Sequence, residues 1–127
     1  MDMRLRQIAL VARDLEGARA DAAAVLGLEH AHADPGVAAY GLRNAVFALG
    51  TTFLEIVSPA TAGTTAGRLL DKRGGDGGYM VILQTRHLAE ARARVRAAGA
   101  RIVDQKDGGG ASFTHVHPRD VGGALLS

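Results

Sequence analysis

Apolar residues recur along this chain in two rhythms, and the two alternate twice in the same order. Leu5 to Ala12 is a short, nearly continuous apolar run rich in Ile, Leu and Val, the pattern of a strand buried on both faces. Asp14 then offers a helix N-cap, and Leu15, Ala18, Ala22, Val25 and Leu26 follow at helical spacing until Gly27 supplies a stop. Three strand candidates come next: Leu28 to His32, Val37 to Leu42 merging through Asn44 to Leu49, and Thr51 to Val57. Asp34-Pro35-Gly36, Arg43-Asn44 and Gly50 punctuate them, and Pro59 closes this half.

The second half has the same order. Tyr79 to Thr85 is an apolar strand, and His87 stands at a helix start. Leu88, Ala91, Val95 and Ala98 mark one helix face, and Gly99 stops it. Arg101 to Gln105, Ser112 to His117 and Gly123 to Ser127 are then three further strands. Leu15 to Leu88, Ala18 to Ala91 and Arg19 to Arg92 are each separated by 73 residues, and Gly27 to Gly99 by 72. The pattern therefore predicts one α+β domain of two tandem strand-helix-strand-strand-strand (βαβββ) units, residues 4–59 and 78–127. Between them, residues 60–77 are rich in Thr, Ala and Gly and read as a flexible connector with at most a short helix over Ala66 to Lys72. Its glycines lack the preceding strand and following helix that a phosphate-cradling loop needs.

Composition narrows the function classes. A hydrophobic content of 47% argues for a packed core, yet no apolar run approaches the length of a membrane span. The N-terminal residues carry no basic stretch followed by an apolar signal core, so a cytoplasmic location is expected. The absence of cysteine excludes disulfides, thiolate-bound zinc and a cysteine nucleophile. The net charge of +2 comes from arginine, since Lys72 and Lys106 are the sole lysines. Arg92, Arg94, Arg96 and Arg101 wrap the polar side of a helix without interleaved aromatics, which reads as a solvated face and not as a nucleic-acid surface.

The opening LRQIALVARDLEGARADAAAVLGLE, the strand FLEIVSP and the closing HPRDVGGALLS resemble the vicinal oxygen chelate superfamily, which includes glyoxalase I, methylmalonyl-CoA epimerase, extradiol dioxygenases and the bleomycin and fosfomycin resistance proteins. The resemblance spans essentially the whole chain. It implies that the units form a curved mixed β-sheet half-barrel with helices packed outside, and that metal-dependent members aim two histidines and two Glu or Gln residues at a divalent cation. Those four positions fall on Gln7, Glu55, Met80 and Ser127. A thioether is a soft donor and a neutral serine hydroxyl a poor one, so no metal or other cofactor is expected here. Related domains commonly dimerise, and a chain that stops within its last strand leaves an edge to cover; a homodimer is the expected assembly.

Strand alternation then sorts the pocket-facing side chains. With Gln7 and Glu55 inward, Leu5, Ala9, Val11, Phe53 and Val57 face inward too, joined by Met80, Ile82 and Gln84. This makes a mostly apolar small-molecule site. Glu55 is the one glutamate embedded in an apolar strand, which makes it the candidate catalytic base. Gln7, Asn44, Phe53, Met80, His115, His117 and Ser127 are the candidate ligand-binding residues. Asn44 also suits a turn, and His117, before Pro118, equally suits a turn-stabilising role. His30 and His32 read as surface residues. Two functions stay open: an enzyme acting on a small carbonyl, thioester or aromatic metabolite, with Glu55 as base, or a non-catalytic binding protein of the drug-sequestering kind.

Overall fold

The computed structural model describes residues 2–127, which divide into two compact units. One is Gln7–Tyr79; the other joins the N-terminal residues up to Arg6 with Met80–Ser127. The α+β class and the doubled order of elements are as the sequence pattern predicts.

In the first unit, strand β1 (Arg4–Val11) leads to helix α1 (Leu15–Leu26), which starts where the Asp14 side chain accepts the Gly17 N–H at 3.1 Å. It ends on Gly27, whose left-handed φ of 67° costs glycine little. Strands β2 (Leu42–Leu49) and β3 (Thr52–Pro59) pair antiparallel, and β3 pairs parallel with β1, giving the order β2-β3-β1. Ala12, Leu15, Ala45, Phe47 and Ile56 form a core under α1, with Ala18, Ala22 and Ala23 packed against it.

Three expectations fail in this unit. Leu28 to His32 is not a strand: His32 makes one antiparallel bridge to Val46, because Asp34-Pro35 turns the chain at once. Val37 to Leu42 does not extend into a strand either. Pro35–Tyr40 is a 3₁₀ segment, nucleated by the Asp34 carboxylate accepting the Gly36 N–H at 2.9 Å and by the fixed φ of Pro35. The left-handed Gly41 ends it, where a Cβ would collide with Thr61 and Thr64. Val25 and Leu26, assigned to the apolar face of α1, stand 82% and 53% exposed on its last turn.

The segment read as a flexible connector carries helix α2 (Thr65–Arg73), capped by the Thr64 side chain. Ala66 and Leu70 are each 1% exposed and pack on Val11, Leu42 and Val57. Val11 and Val57 were expected to line an open pocket; α2 covers them. The three spaced apolar residues Ala66, Leu69 and Leu70 contain this signal, but the surrounding Thr and Gly masked it.

The second unit contains strands β4 (Gly77–Gln84, from Met80 onward), β5 (Ile102–Lys106), β6 (Phe113–Val116) and β7 (Leu125–Leu126), with helix α3 (Leu88–Ala97) between β4 and β5. Their order is β5-β6-β7-β4, with β5–β6 and β6–β7 antiparallel and β7–β4 parallel, one antiparallel pairing more than the named strands of the first unit make. The separation of 73 residues holds for the helix starts, Leu15 and Leu88, and for the strand starts, Arg4 and Gly77. His87 gives α3 no side-chain cap. Just before this helix, Asp2 accepts the Thr85 hydroxyl at 2.6 Å and the Arg86 N–H at 2.9 Å, which hold its carboxyl well below the usual range.

The arginines are not one solvated face. Arg92 is largely buried, with its side chain 13% exposed, and bonds Thr114 Oγ1 at 2.6 Å, Asp107 at 2.8 Å and the Phe113 carbonyl at 3.0 Å. Arg101 pairs with Asp120 through two 2.9 Å bonds. Arginine's fork suits it to such multiple contacts.

Leu70→Ala tests whether α2 belongs to the core. Truncation of a fully buried leucine costs about 2–5 kcal/mol, so urea unfolding should show a loss of that size, whereas a loosely attached connector would show almost none.

Candidate functional site

The parallel register of β1 and β3 sets Gln7 opposite Phe53 and Ala9 opposite Glu55. Side chains two residues apart on a strand share a face, so Gln7 and Glu55 meet diagonally across the pair. Gln7 Nε2 donates to Glu55 Oε1 at 2.9 Å. From the other side, Asn44 Nδ2 donates to Glu55 Oε2 at 2.6 Å. Asn44 in turn accepts the Asp34 N–H through Oδ1 at 2.9 Å. Each carboxylate oxygen of Glu55 therefore faces an amide NH₂.

Glu55 is 8% exposed. Burial raises its proton affinity above the ordinary carboxylate value; the Asn44 and Gln7 bonds oppose that shift, and the negative charge of Asp34 adds to it. Burial is the largest of these effects. The half-buried Tyr79 packs against Val11, Leu42, Val57, Ala66 and Leu70. Its phenol is held protonated first by burial and then by the charges of Glu55 and Tyr40. Sequence reasoning passed over Tyr79 because strand alternation, counted from Met80, places it on the opposite face. It also missed Asp34, which acts through its charge and through a backbone N–H that no side-chain pattern reveals.

The first unit thus gathers Gln7, Asn44 and Glu55 into one hydrogen-bonded cluster and places Phe53 opposite Gln7 in the ladder. Met80, His115, His117 and Ser127 belong to the second unit. Met80 lies opposite Leu125, and the Ser127 backbone bonds Val81 and Leu83 of β4. His115 stacks on Phe113 with ring centroids 4.5 Å apart, and its buried Nδ1 has no hydrogen-bond partner among the described residues. Burial lowers its proton affinity, and Asp104 opposes this, so the ring is neutral at pH 7. His115 and His117 were expected to share a strand face, but β6 ends at Val116. His117 instead accepts the Arg119 N–H through Nδ1 at 3.1 Å and starts a 3₁₀ turn, the turn-stabilising alternative.

The cation implied by the superfamily resemblance does not fit these donors. Glu55 is the one charged group among Gln7, Glu55, Met80 and Ser127, and the positive ends of two amide dipoles already point at its oxygens. Asn44 cannot turn to offer its own oxygen without losing the Asp34 bond. A thioether and a neutral hydroxyl add little for a hard cation.

Residues 8–125 match the family described as Glyoxalase-like domain. The chain belongs to that family. The resemblance to the vicinal oxygen chelate superfamily is thereby borne out. The glyoxalase-like chain is 28% identical to an ethylmalonyl-CoA/methylmalonyl-CoA epimerase of Cereibacter sphaeroides, over 97% of this chain and 94% of that protein. Among solved structures it resembles a methylmalonyl-CoA epimerase in complex with methylmalonyl-CoA and NH4+, with a TM-score of 0.83 and 24% identity, covering 99% of this chain and 92% of that one. A Streptomyces coelicolor methylmalonyl-CoA epimerase variant in complex with 2-nitronate-propionyl-CoA gives a TM-score of 0.82 at 24% identity, covering 97% and 90%. At these identities the structural likeness establishes the fold.

Glu55→Gln tests the electrostatics of this glyoxalase-like site. Because the folded-state proton affinity of Glu55 is raised, the folded protein binds more protons than the unfolded chain above the ordinary carboxylate value of 4.5. The contribution of Glu55 to stability is therefore fully present below that value and lost as pH rises through the folded one. Relative to wild type, the variant should gain stability between pH 4 and pH 8 in denaturant titrations. An unchanged difference across that range would contradict the assignment.

Proposed function

We propose that this protein is an enzyme that moves the proton α to the carbonyl of a small acyl thioester, with Glu55 as the base. One observation carries the reading: a nearly buried carboxylate, more basic than usual, with its two oxygens aimed by amide donors. A carbon acid next to a carbonyl needs a base of raised proton affinity, held still and kept from water. Each Glu55 oxygen keeps a lone pair beyond the one its amide uses. In the proton-transfer step the C–H bond breaks, the proton passes to Glu55, and the electron pair moves onto the thioester carbonyl as an enolate. Returning the proton restores the thioester, and exchange with water before the return replaces it with a solvent proton. No oxidant or leaving group is involved.

The thioester class rests on the relatives, which are named as epimerases of ethylmalonyl-CoA and methylmalonyl-CoA. Gln7 and Asn44 orient the base. Phe53, opposite Gln7 in the same unit, is a proposed ligand contact. The reaction as proposed uses no metal, since a neutral amide, a thioether and a neutral hydroxyl offer a hard cation little beside Glu55.

A second reading has one observation in its favour. Both oxygens of Glu55 already accept hydrogen bonds, as they would in a site that binds a small molecule without transforming it. Deuterium incorporation separates the two. In D₂O, methylmalonyl-CoA or ethylmalonyl-CoA should gain one deuterium at the α carbon with wild type, as read by mass spectrometry. The Glu55→Gln rate should be lower by roughly 100-fold or more. Binding of both thioesters without incorporation would leave the binding-protein reading standing. Added Zn²⁺, Mn²⁺ or Co²⁺ should change neither the rate nor the melting temperature.

A further inference from the structure

We infer that Asn44 is the positioning residue for Glu55 and that the Asp34 backbone N–H is what makes it one. This deepens the proton-transfer reading and rests on it. A short antiparallel ladder runs beside β2. His32 and Val46 exchange both backbone bonds, His32 N–H to Val46 O at 2.8 Å and Val46 N–H to His32 O at 2.7 Å. The next bonded pair of such an antiparallel ladder falls two residues further on, at Asp34 and Asn44. There the Asp34 N–H bonds the Asn44 side-chain oxygen at 2.9 Å. The side chain has taken a bond that the ladder would give to the main chain, and the chain can then turn away through Pro35.

That exchange fixes which way the amide faces. The NH₂ and C=O ends of an asparagine have nearly the same shape, and a carboxylate attracts only the first. With Oδ1 committed to Asp34, Nδ2 must face Glu55 Oε2, where it lies at 2.6 Å. Position 44 therefore requires an acceptor on one side and a donor on the other, in a buried side chain of this length. Gln7 has no such tie on its carbonyl end among the described residues, so its amide can turn while that of Asn44 cannot. Asn44 sets the plane of the carboxylate, and Gln7 follows it.

Two variants divide the roles. Asn44→Leu removes donor and acceptor; Asn44→Asp keeps the acceptor for Asp34 and loses the donor to Glu55. Deuterium incorporation into methylmalonyl-CoA should show kcat reduced roughly 100-fold in both, the usual cost of a misplaced catalytic group, with KM within about threefold of wild type. The Asp34 amide resonance should move in Asn44→Leu and stay near its wild-type position in Asn44→Asp. Unchanged kcat in both variants overturns the inference. A raised KM at constant kcat also overturns it, since Asn44 would then be a substrate contact. If wild type exchanges no proton, the proton-transfer reading has failed by itself. The Glu55 carboxyl ¹³C resonance then decides: movement and broadening in both variants support the positioning role, and an unmoved line overturns it. Should Asn44→Leu fail to fold, Asp34→Pro removes the N–H and leaves Asn44 in place. It should shift the same Glu55 resonance, and an unmoved line there counts against the inference equally.

Discussion

The parallel pairing of β1 with β3 has Ala9 opposite Glu55, and the first unit depends on that register. Strand side chains alternate between faces, so a slip of one residue would move Gln7 to the other face and put apolar Ile8 or Arg6 where an amide now meets the carboxylate. The same register places Val11 against Val57, the floor on which α2 lies. At the end of the pair the fully buried Ser58 hydroxyl donates to the Ala12 carbonyl, and the Ala12 N–H donates to Val57 O. One pairing thus supports both the core and Glu55, which explains why a costly buried carboxylate can be held at all: its neighbours are fixed by main-chain bonds.

Much of this was legible in the sequence, and the reason is periodicity. The separation of 73 residues between Leu15 and Leu88 is a local, additive signal, and it survives in the positions where helices and strands begin. Glu55 could be singled out because a charge inside an apolar strand run is conspicuous. Gln7 was found through a resemblance, and the structure gives it a partner. What could not be read was anything decided by competition between main-chain and side-chain bonds. Val37 to Leu42 has the composition of a strand, but a carboxylate on Gly36 and a proline beside it bend the segment into a 3₁₀ turn. His115 and His117 share a strand face only if the strand continues, and a histidine cap ended it.

Burial was likewise misjudged wherever the sequence offered no way to see what lies overhead. Val25 and Leu26 have the spacing of core residues and are exposed, whereas Arg92 has the character of a surface residue and is buried. In the first case the two side chains lie on the part of the last turn of α1 that faces away from its core. In the second, one guanidinium gathers Thr114, Asp107 and two carbonyls, so its charge is satisfied at little conformational cost. Periodicity reports which side chains share a face; it does not report whether that face is covered.

Helix α2 gives the duplication an asymmetry. It lies in the sequence between the two repeats, yet Ala66 and Leu70 belong to the core of the first, and Asp71 and Asp76 hold Arg13 through its side chain and its backbone N–H. The stretch between the repeats is therefore part of the first unit and not a linker. A gene cut before α2 would carry part of the first unit's interior away with the cut. Circular permutants opened there would begin life with a core residue at a free terminus.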